Sequence, residues 1–179
     1  SATGYLNNDS LKDMVLIIES NDSILQKDCS SCDLEKNKAR ILLVLLKSKH
    51  KYKVICQHNY FIMRPNDGGL KAEDALDDIS IDRKIFELHY QFLRGGLTYD
   101  FKYLNHDIYL IRAENVGVDH DIFYEKKFDF LRMKMTAKTG EISSDKNKIK
   151  ITKIKLQRPR KLAELNVPLD WEVVKGEYL

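Results

Sequence analysis

Two pairs of residues carry side chains that bind soft metals. Cys29 and Cys32 have the spacing of half a zinc site, and Cys56 and His58 lie two positions apart. Because side chains two positions apart on a strand point to the same face, Cys56 and His58 could complete a site of three thiolates and one imidazole. One alternative is a small disulfide between Cys29 and Cys32 in an oxidising compartment, with Cys56 as a buried free thiol. Another is that all three thiols are reduced and have no role.

Catalytic chemistry is not expected from these or other reactive side chains. Asp28 and Asp33 flank the cysteine pair, and their negative charge raises the pKa of a thiol, which opposes formation of the reactive thiolate. His89 lies on the polar side of an alternating segment, and His106 and His120 lie in turns beside aspartates. The chain has no phosphate-binding loop, dinucleotide fingerprint, Gly-x-Ser-x-Gly or His-Glu-x-x-His motif. The sequence therefore predicts a protein that is not an enzyme.

Oxygen-bearing side chains are concentrated near the start of the chain. Residues 4–15 read Gly-Tyr-Leu-Asn-Asn-Asp-Ser-Leu-Lys-Asp-Met-Val, which resembles the Gly-Asp-Leu-Asn-Gly-Asp-Gly-x-x-Asp-Leu-Val signature of FG-GAP/VCBS-type β-propeller repeats. The resemblance implies a calcium ion with the ligands Asn7, Asp9 and Asp13. Tyr5 replaces the first aspartate of the signature and Ser10 replaces a glycine, whereas calcium takes about six to eight oxygen ligands. The alternative is a turn held by its own side chains, which needs no cofactor.

A basic run occupies residues 146–161, which include eight lysines or arginines and no acid. Such a run can follow a phosphate backbone, an anionic membrane or an acidic protein. Isoleucines at 149 and 151 alternate with lysines, which is typical of an edge strand whose lysines prevent edge-to-edge aggregation. The run lacks aromatic residues that stack on single-stranded nucleic acid, so nucleic acid is not the expected partner. If the run binds an acidic protein, the residues involved are Lys148, Lys150, Lys153, Lys155, Arg158 and Arg160.

The elements that position these residues are predicted to be strands. In residues 79–112 apolar and polar side chains alternate with a period of two, as Phe86 and Leu88 do with Glu87. Gly95-Gly96 and residues 105–107 are the predicted turns of this meander, and residues 113–121 are predicted to be a loop. Residues 41–47 are almost continuously apolar and are predicted to be covered on both faces. Further strands are predicted at residues 14–18, 52–63, 122–130, 134–140 and 148–156.

The pattern predicts a mainly β fold of antiparallel meander sheets, partly propeller-like or sandwich-like, with few short helices. The 179 residues are predicted to form a single domain, with a sub-division into an N-terminal three-stranded unit (1–63) and a C-terminal antiparallel sheet (79–179). Residues 64–78 are predicted to connect the two with one or two helical turns. Near the C-terminus, residues 161–166 are expected to make a short helical turn, and Trp171 is expected to anchor the tail on the sheet.

The charge balance and the lengths of the apolar runs argue against two classes of function. Basic and acidic residues number 30 and 27, giving a net charge of +3, and this balance does not favour a nucleic-acid binder. No apolar run approaches the roughly 20 residues that span a bilayer, so no transmembrane segment is predicted. The chain begins at Ser1 rather than Met, which leaves open a removed leader and a lipid anchor upstream of residue 1.

The layout of the chain also resembles small envelope proteins of Gram-negative bacteria, many of them lipoproteins. The features that carry this resemblance are the Asp-rich opening, the hairpin strands, and Tyr99-x-Phe101-x-Tyr103 ahead of the segment Tyr-Leu-Ile-Arg at 109–112. It implies a periplasmic or outer-membrane-anchored protein without enzymatic activity. The expected function is binding of another protein, specifically as an immunity protein that neutralises a secreted toxin. The alternative is a calcium-stabilised module in surface adhesion or glycan binding.

Overall fold

The computed structural model describes residues 1–26, 35–65, 67 and 74–179. Within these residues the fold is mainly β, as the alternation predicted, and the strands form antiparallel sheets of four, seven and two strands. In both larger sheets every strand lies beside its neighbours in the sequence. The predicted antiparallel meander is therefore confirmed.

The first sheet contains β1 (Ala2–Gly4), β2 (Asp13–Gln26), β3 (Glu35–Ser48) and β4 (Lys51–His58) in that order. β4 ends at His58 and not at residue 63 as predicted, because the chain bends there and places Phe61 in the core. β3 is not covered on both faces: Leu42 and Val44 are fully buried, whereas Ile41 and Leu43 are only half-buried. One face of this sheet thus meets the core.

The second sheet is a meander of seven strands. These are β5 (Leu76–Asp82), β6 (Ile85–Phe92), β7 (Gly95–Leu104), β8 (Asp107–Asp119), β9 (Ile122–Asp129), β10 (Lys134–Glu141) and β11 (Asn147–Lys153). Asn105 and His106 have φ angles of 48° and 68°, the conformation of the two-residue turns that match strand twist. The predicted turn at this position is confirmed. The helical turns predicted within residues 64–78 lie partly outside the described residues, and residues 76–78 belong to β5.

Two predictions about glycines were wrong. The turn before β7 is Leu93-Arg94, and Gly95 and Gly96 belong to the strand. Gly95 is required by a close approach, because a Cβ there would lie 2.1 Å from the carbonyl oxygen of Val116 on the next strand. Residues 113–119 are not a loop but the second half of β8, which continues through Gly117.

The C-terminal segment returns to the buried face of the second sheet. A 3-10 helix (Leu162–Glu164) is followed by the short hairpin of β12 (Glu172–Val174) and β13 (Glu177–Tyr178). The Trp171 ring stacks on Phe130 at a centroid distance of 5.3 Å, and Arg160 lies 4.1 Å above the indole centroid. The predictions of a short helical turn and of a tryptophan anchor are confirmed.

One hydrophobic cluster joins the two larger sheets. It contains Leu42 and Val44 from the first sheet and Leu88 from the second. Phe61, which follows β4, adds to this link, since its ring lies 5.2 Å from that of Tyr99 on β7. The inner face of the seven-stranded sheet is therefore occupied by the core, and its outer face is left to solvent.

Candidate functional site

The outer face of the seven-stranded sheet carries most of its charged side chains. On β6, Phe86 and Leu88 are completely buried, so Glu87 and His89 point outward. The same alternation applied across the strand register defines what we call the polar face. Its members include Glu87, His89, Thr98, Asp100, Arg112, Glu114, Glu125, Lys127, Asp129, Lys134, Thr136, Lys138, Ile149, Ile151 and Lys153.

A groove of about 460 Å³ crosses the middle of the polar face from β6 to β10. Residues that follow the register lie side by side across it, so Glu87 pairs with Asp100, and Asp100 pairs with Arg112. The row continues from Arg112 to Asp129 and ends at Lys134. The groove is therefore a line of charged side chains from neighbouring strands.

A β-bulge in β8 decides which residues face the groove. Leu110 is opposite Phe101 and Arg112 is opposite Asp100, so Ile111 is an extra residue in β8. Leu110 and Ile111 are both buried, and the inward–outward alternation shifts by one position after them. Arg112 consequently points outward, where its Nε donates to Asp100 Oδ2 at 2.7 Å. Without the bulge, Arg112 would have the inward orientation of Leu110.

Glu87 and Asp100 place two acids on the floor of the groove. Asp100 is only 9% exposed. Burial raises the pKa of Glu87, and the negative charge of Asp100 and a side-chain hydrogen bond with its carboxylate raise it further. The protonated form of Glu87 is thus favoured beside Asp100.

The opposite end of the groove is basic. The Lys127 ammonium lies 2.6 Å from Glu125 and 3.3 Å from Glu114. Lys134, across from Asp129, has no ion-pair partner within residues 74–179 or the other described ranges. Charge therefore changes along the groove from acidic on β6 and β7 to basic on β10.

His89 lies beside the groove in a hydrogen-bonded pair. Its Nδ1 is 3.0 Å from the Thr98 hydroxyl, and its Nε2 is 3.8 Å from a carboxylate oxygen of Asp77. The sequence placed His89 on the polar side of its strand, and this is confirmed. The side chain of Asp77 is 60% exposed and lies beyond hydrogen-bond distance from the imidazole, so the carboxylate does not fix the orientation of His89.

The proposed calcium ligands use their oxygens within the fold. Asn7 donates to Asp9 at 2.8 Å, and Asp9 accepts the backbone N–H of Leu11. Asp13 is completely buried, and its two carboxylate oxygens accept the backbone N–H groups of Leu6 at 2.8 Å and Lys47 at 2.9 Å. The contacts of Asn7 and Asp9 are those of a turn held by its own side chains, whereas Asp13 joins this segment to β3. In the parts of the chain that the structure describes, no group of three or more His, Cys, Asp or Glu residues could hold a metal.

Cys56 and His58, the other two proposed zinc ligands, also make contacts within the fold. Cys56 is buried, and burial raises the pKa of its thiol to about 11. His58 accepts the N–H of Phe61 at Nδ1, and its Nε2 lies 2.8 Å from the Leu165 carbonyl oxygen. His58 therefore uses both ring nitrogens: Nδ1 holds the bend after β4, and Nε2 joins β4 to the C-terminal segment. Cys29 and Cys32, the disulfide or zinc candidates, lie outside the described residues.

The structure does not bring the basic run together as one surface. Lys148 and Lys150 point to the face of β11 opposite Ile149, whereas Lys153 points to the polar face. Lys155 follows the strand and is exposed. Arg158 forms two hydrogen bonds with Glu164, and Arg160 covers Trp171. The prediction of an edge strand is confirmed.

Asp100 and Arg112 were not predicted from the sequence to be site residues. Alternating polarity indicated which side chains of β6 and β7 point outward. It did not give the register that sets Glu87 beside Asp100, and Ile111 looks like any apolar strand residue although it creates the bulge.

Fold and site together define a mainly β protein with an antiparallel meander and a charged surface groove. Compared with protein-family models, curated proteins and solved structures, the chain matches none of them. No helix among the described residues has the length and apolar character that would let it cross a membrane.

Proposed function

We propose that this chain is a non-enzymatic module that binds another protein through the groove of the polar face. The observation that carries the proposal is the pair of acids, Glu87 and Asp100, which the strand register sets side by side in the groove. A lysine or arginine of the partner placed beside this pair would compensate the charge of Asp100 and favour ionisation of Glu87.

The charge gradient along the groove supports a protein partner with a matching pattern. The partner would present a cation towards β6 and β7, and acidic side chains towards Lys134 on β10. Complementary charge of this kind speeds association and suppresses wrong partners. In its most specific form, the proposal is an immunity protein that blocks a secreted toxin. It would act outside the cytoplasm, in the periplasm or on a lipid anchor, as the envelope-protein resemblance implies.

Partner capture from a native lysate tests the proposal. The captured protein is identified and purified, and its affinity is measured by calorimetry for the wild type, Asp100→Asn and the control Asp119→Asn. Asp119 is an exposed acid outside the groove. Losing one hydrogen bond to a charged group costs about 1.5–3 kcal/mol. We therefore expect Asp100→Asn to weaken binding at least tenfold and the control to change it less than twofold.

Two results would overturn the proposal. One is the absence of any specific partner. The other is a partner whose affinity is unchanged by Asp100→Asn and also by Arg112→Gln.

Glu87→Gln provides a second, independent test. Because the pKa of Glu87 is raised in the fold, its ionisation opposes folding as the pH rises through that pKa. The neutral amide should therefore raise the melting temperature at pH 7, and the gain should disappear at low pH, where Glu87 is protonated in both states. The same substitution should weaken partner binding. A variant that is more stable yet binds equally well would argue against a role for this acidic pair.

A further inference from the structure

β11 is the free edge of the seven-stranded sheet. All seven of its residues pair with β10, from Lys153 opposite Lys134 to Asn147 opposite Gly140. At the other end of the sheet, β5 lies against β1, where Gly4 packs on Ile81. The outward backbone N–H and C=O groups of β11 therefore face solvent and can pair with another strand.

Two isoleucines on this edge are exposed side by side. Ile149 and Ile151 are 67% and 68% exposed, and both point to the polar face. Ile151 is opposite Thr136, which lines the groove. The edge and the groove are thus parts of one continuous surface, and a partner in the groove can reach β11.

The lysines of β11 are unpaired charges. Lys148 and Lys150 point away from the polar face, and Lys153 points towards it. None of the three has an ion-pair partner among the residues whose placement the structure gives. An edge strand that is basic on one side and apolar on the other favours an incoming strand with acidic and apolar residues in alternation, since opposite residues on paired strands share a face.

We propose that β11 receives an extended segment of the partner protein, which adds to the sheet as an eighth strand. The inference rests on the proposed function and names the element that the partner supplies. Its apolar side chains cover Ile149 and Ile151, and its acidic side chains meet Lys148 and Lys150. The backbone hydrogen bonds give affinity, and the alternating side chains give selectivity.

A second copy of this chain fits the edge poorly. Antiparallel pairing of two β11 strands about Lys150 would place that residue opposite its counterpart, and directly opposed like charges destabilise a sheet. Lysines commonly protect exposed edges from aggregation. Protection alone does not explain why two isoleucines are exposed on the same strand. On β11 the lysines exclude other copies while they admit an acidic strand.

The test uses the full chain labelled with ¹⁵N and a synthetic seven-residue peptide of alternating valine and glutamate. We expect saturable shifts of the backbone amides of residues 147–153. A peptide with lysine in place of glutamate should produce none. N-methylation of the peptide nitrogens that face β11 removes about three hydrogen bonds, each worth about 1 kcal/mol, so binding should weaken about a hundredfold. N-methylation of the alternate nitrogens, which face solvent, should weaken it less than threefold.

Charge reversal on the protein completes the test. Lys150→Glu should abolish binding of the glutamate peptide and create binding of the lysine peptide, while the control Lys49→Glu, in the β3–β4 turn, leaves both unchanged. Asp100→Asn should not affect the peptide, so failure of the edge is distinguishable from failure of the groove. Equal effects of the two N-methylation patterns would overturn the inference. So would shifts centred away from β11, or dimerisation of the chain that Lys150→Glu increases.

Discussion

Replacing Asp13 should destabilise this protein more than replacing Asn7 or Asp9, the other two proposed calcium ligands. Asp13 is completely buried, and its carboxylate accepts the backbone N–H groups of Leu6 and Lys47. Asp13→Ala leaves both donors without a partner, and each orphaned donor costs about 1–3 kcal/mol. The total is about 4 kcal/mol, which for a chain of this size lowers the melting temperature by about 8–16 °C. Asp13→Asn keeps one acceptor and should lose about half as much.

The assay is thermal unfolding followed by circular dichroism, in EDTA and in millimolar calcium chloride. Asp9→Ala is the matched control, because Asp9 is exposed and holds only a local turn. We expect the effect of Asp13→Ala to be the same in both buffers. A calcium-dependent rise in the wild-type melting temperature that Asp9→Ala and Asp13→Asn both abolish would refute this reasoning and support the calcium-stabilised alternative.

Three other substitutions test the contacts that hold the fold. Arg40→Met removes a buried guanidinium that donates to two carboxylates and a backbone carbonyl. It should lower the free energy of unfolding by about 3 kcal/mol in urea titrations; a change below about 1 kcal/mol would contradict this. Gly95→Ala should cost at least about 2 kcal/mol in the same assay, because the added Cβ would overlap the Val116 carbonyl. The hydrogen bond from Arg158 lowers the pKa of Glu164 to about 2, so this residue stabilises the fold above its ordinary pKa of 4.5 and loses that contribution as the pH falls towards 2. The difference in melting temperature between wild type and Glu164→Gln should therefore shrink from pH 5 to pH 2, and a constant difference would show that the pair contributes nothing.

The sequence predicted the class of fold because the buried face of several strands is visible as a period of two. Phe86, Leu88 and Tyr90 are completely buried, as their alternation with polar residues required. Glycine misled the prediction of strand ends, since Gly95 and Gly117 serve close contacts within strands and not turns. Local sequence does not distinguish these two uses of glycine.

The candidate site could not be predicted from the sequence, for a different reason. Glu87, Asp100 and Arg112 are ordinary polar positions on three strands, and they converge only through the register of β6, β7 and β8. Register depends on pairing across the sheet, and a bulge changes which face a side chain occupies. Conversely, the motif that was visible in the sequence, Asn7 with Asp9 and Asp13, is used for hydrogen bonds within the fold.

The chain-order arrangement of β5 to β11 has a consequence for how the molecule is made. Each strand closes a short loop onto its predecessor, so the entropy of each closure is small. Sheets built from such local pairings fold faster than those that join distant segments. The meander can therefore assemble one hairpin at a time as the polypeptide emerges from the ribosome.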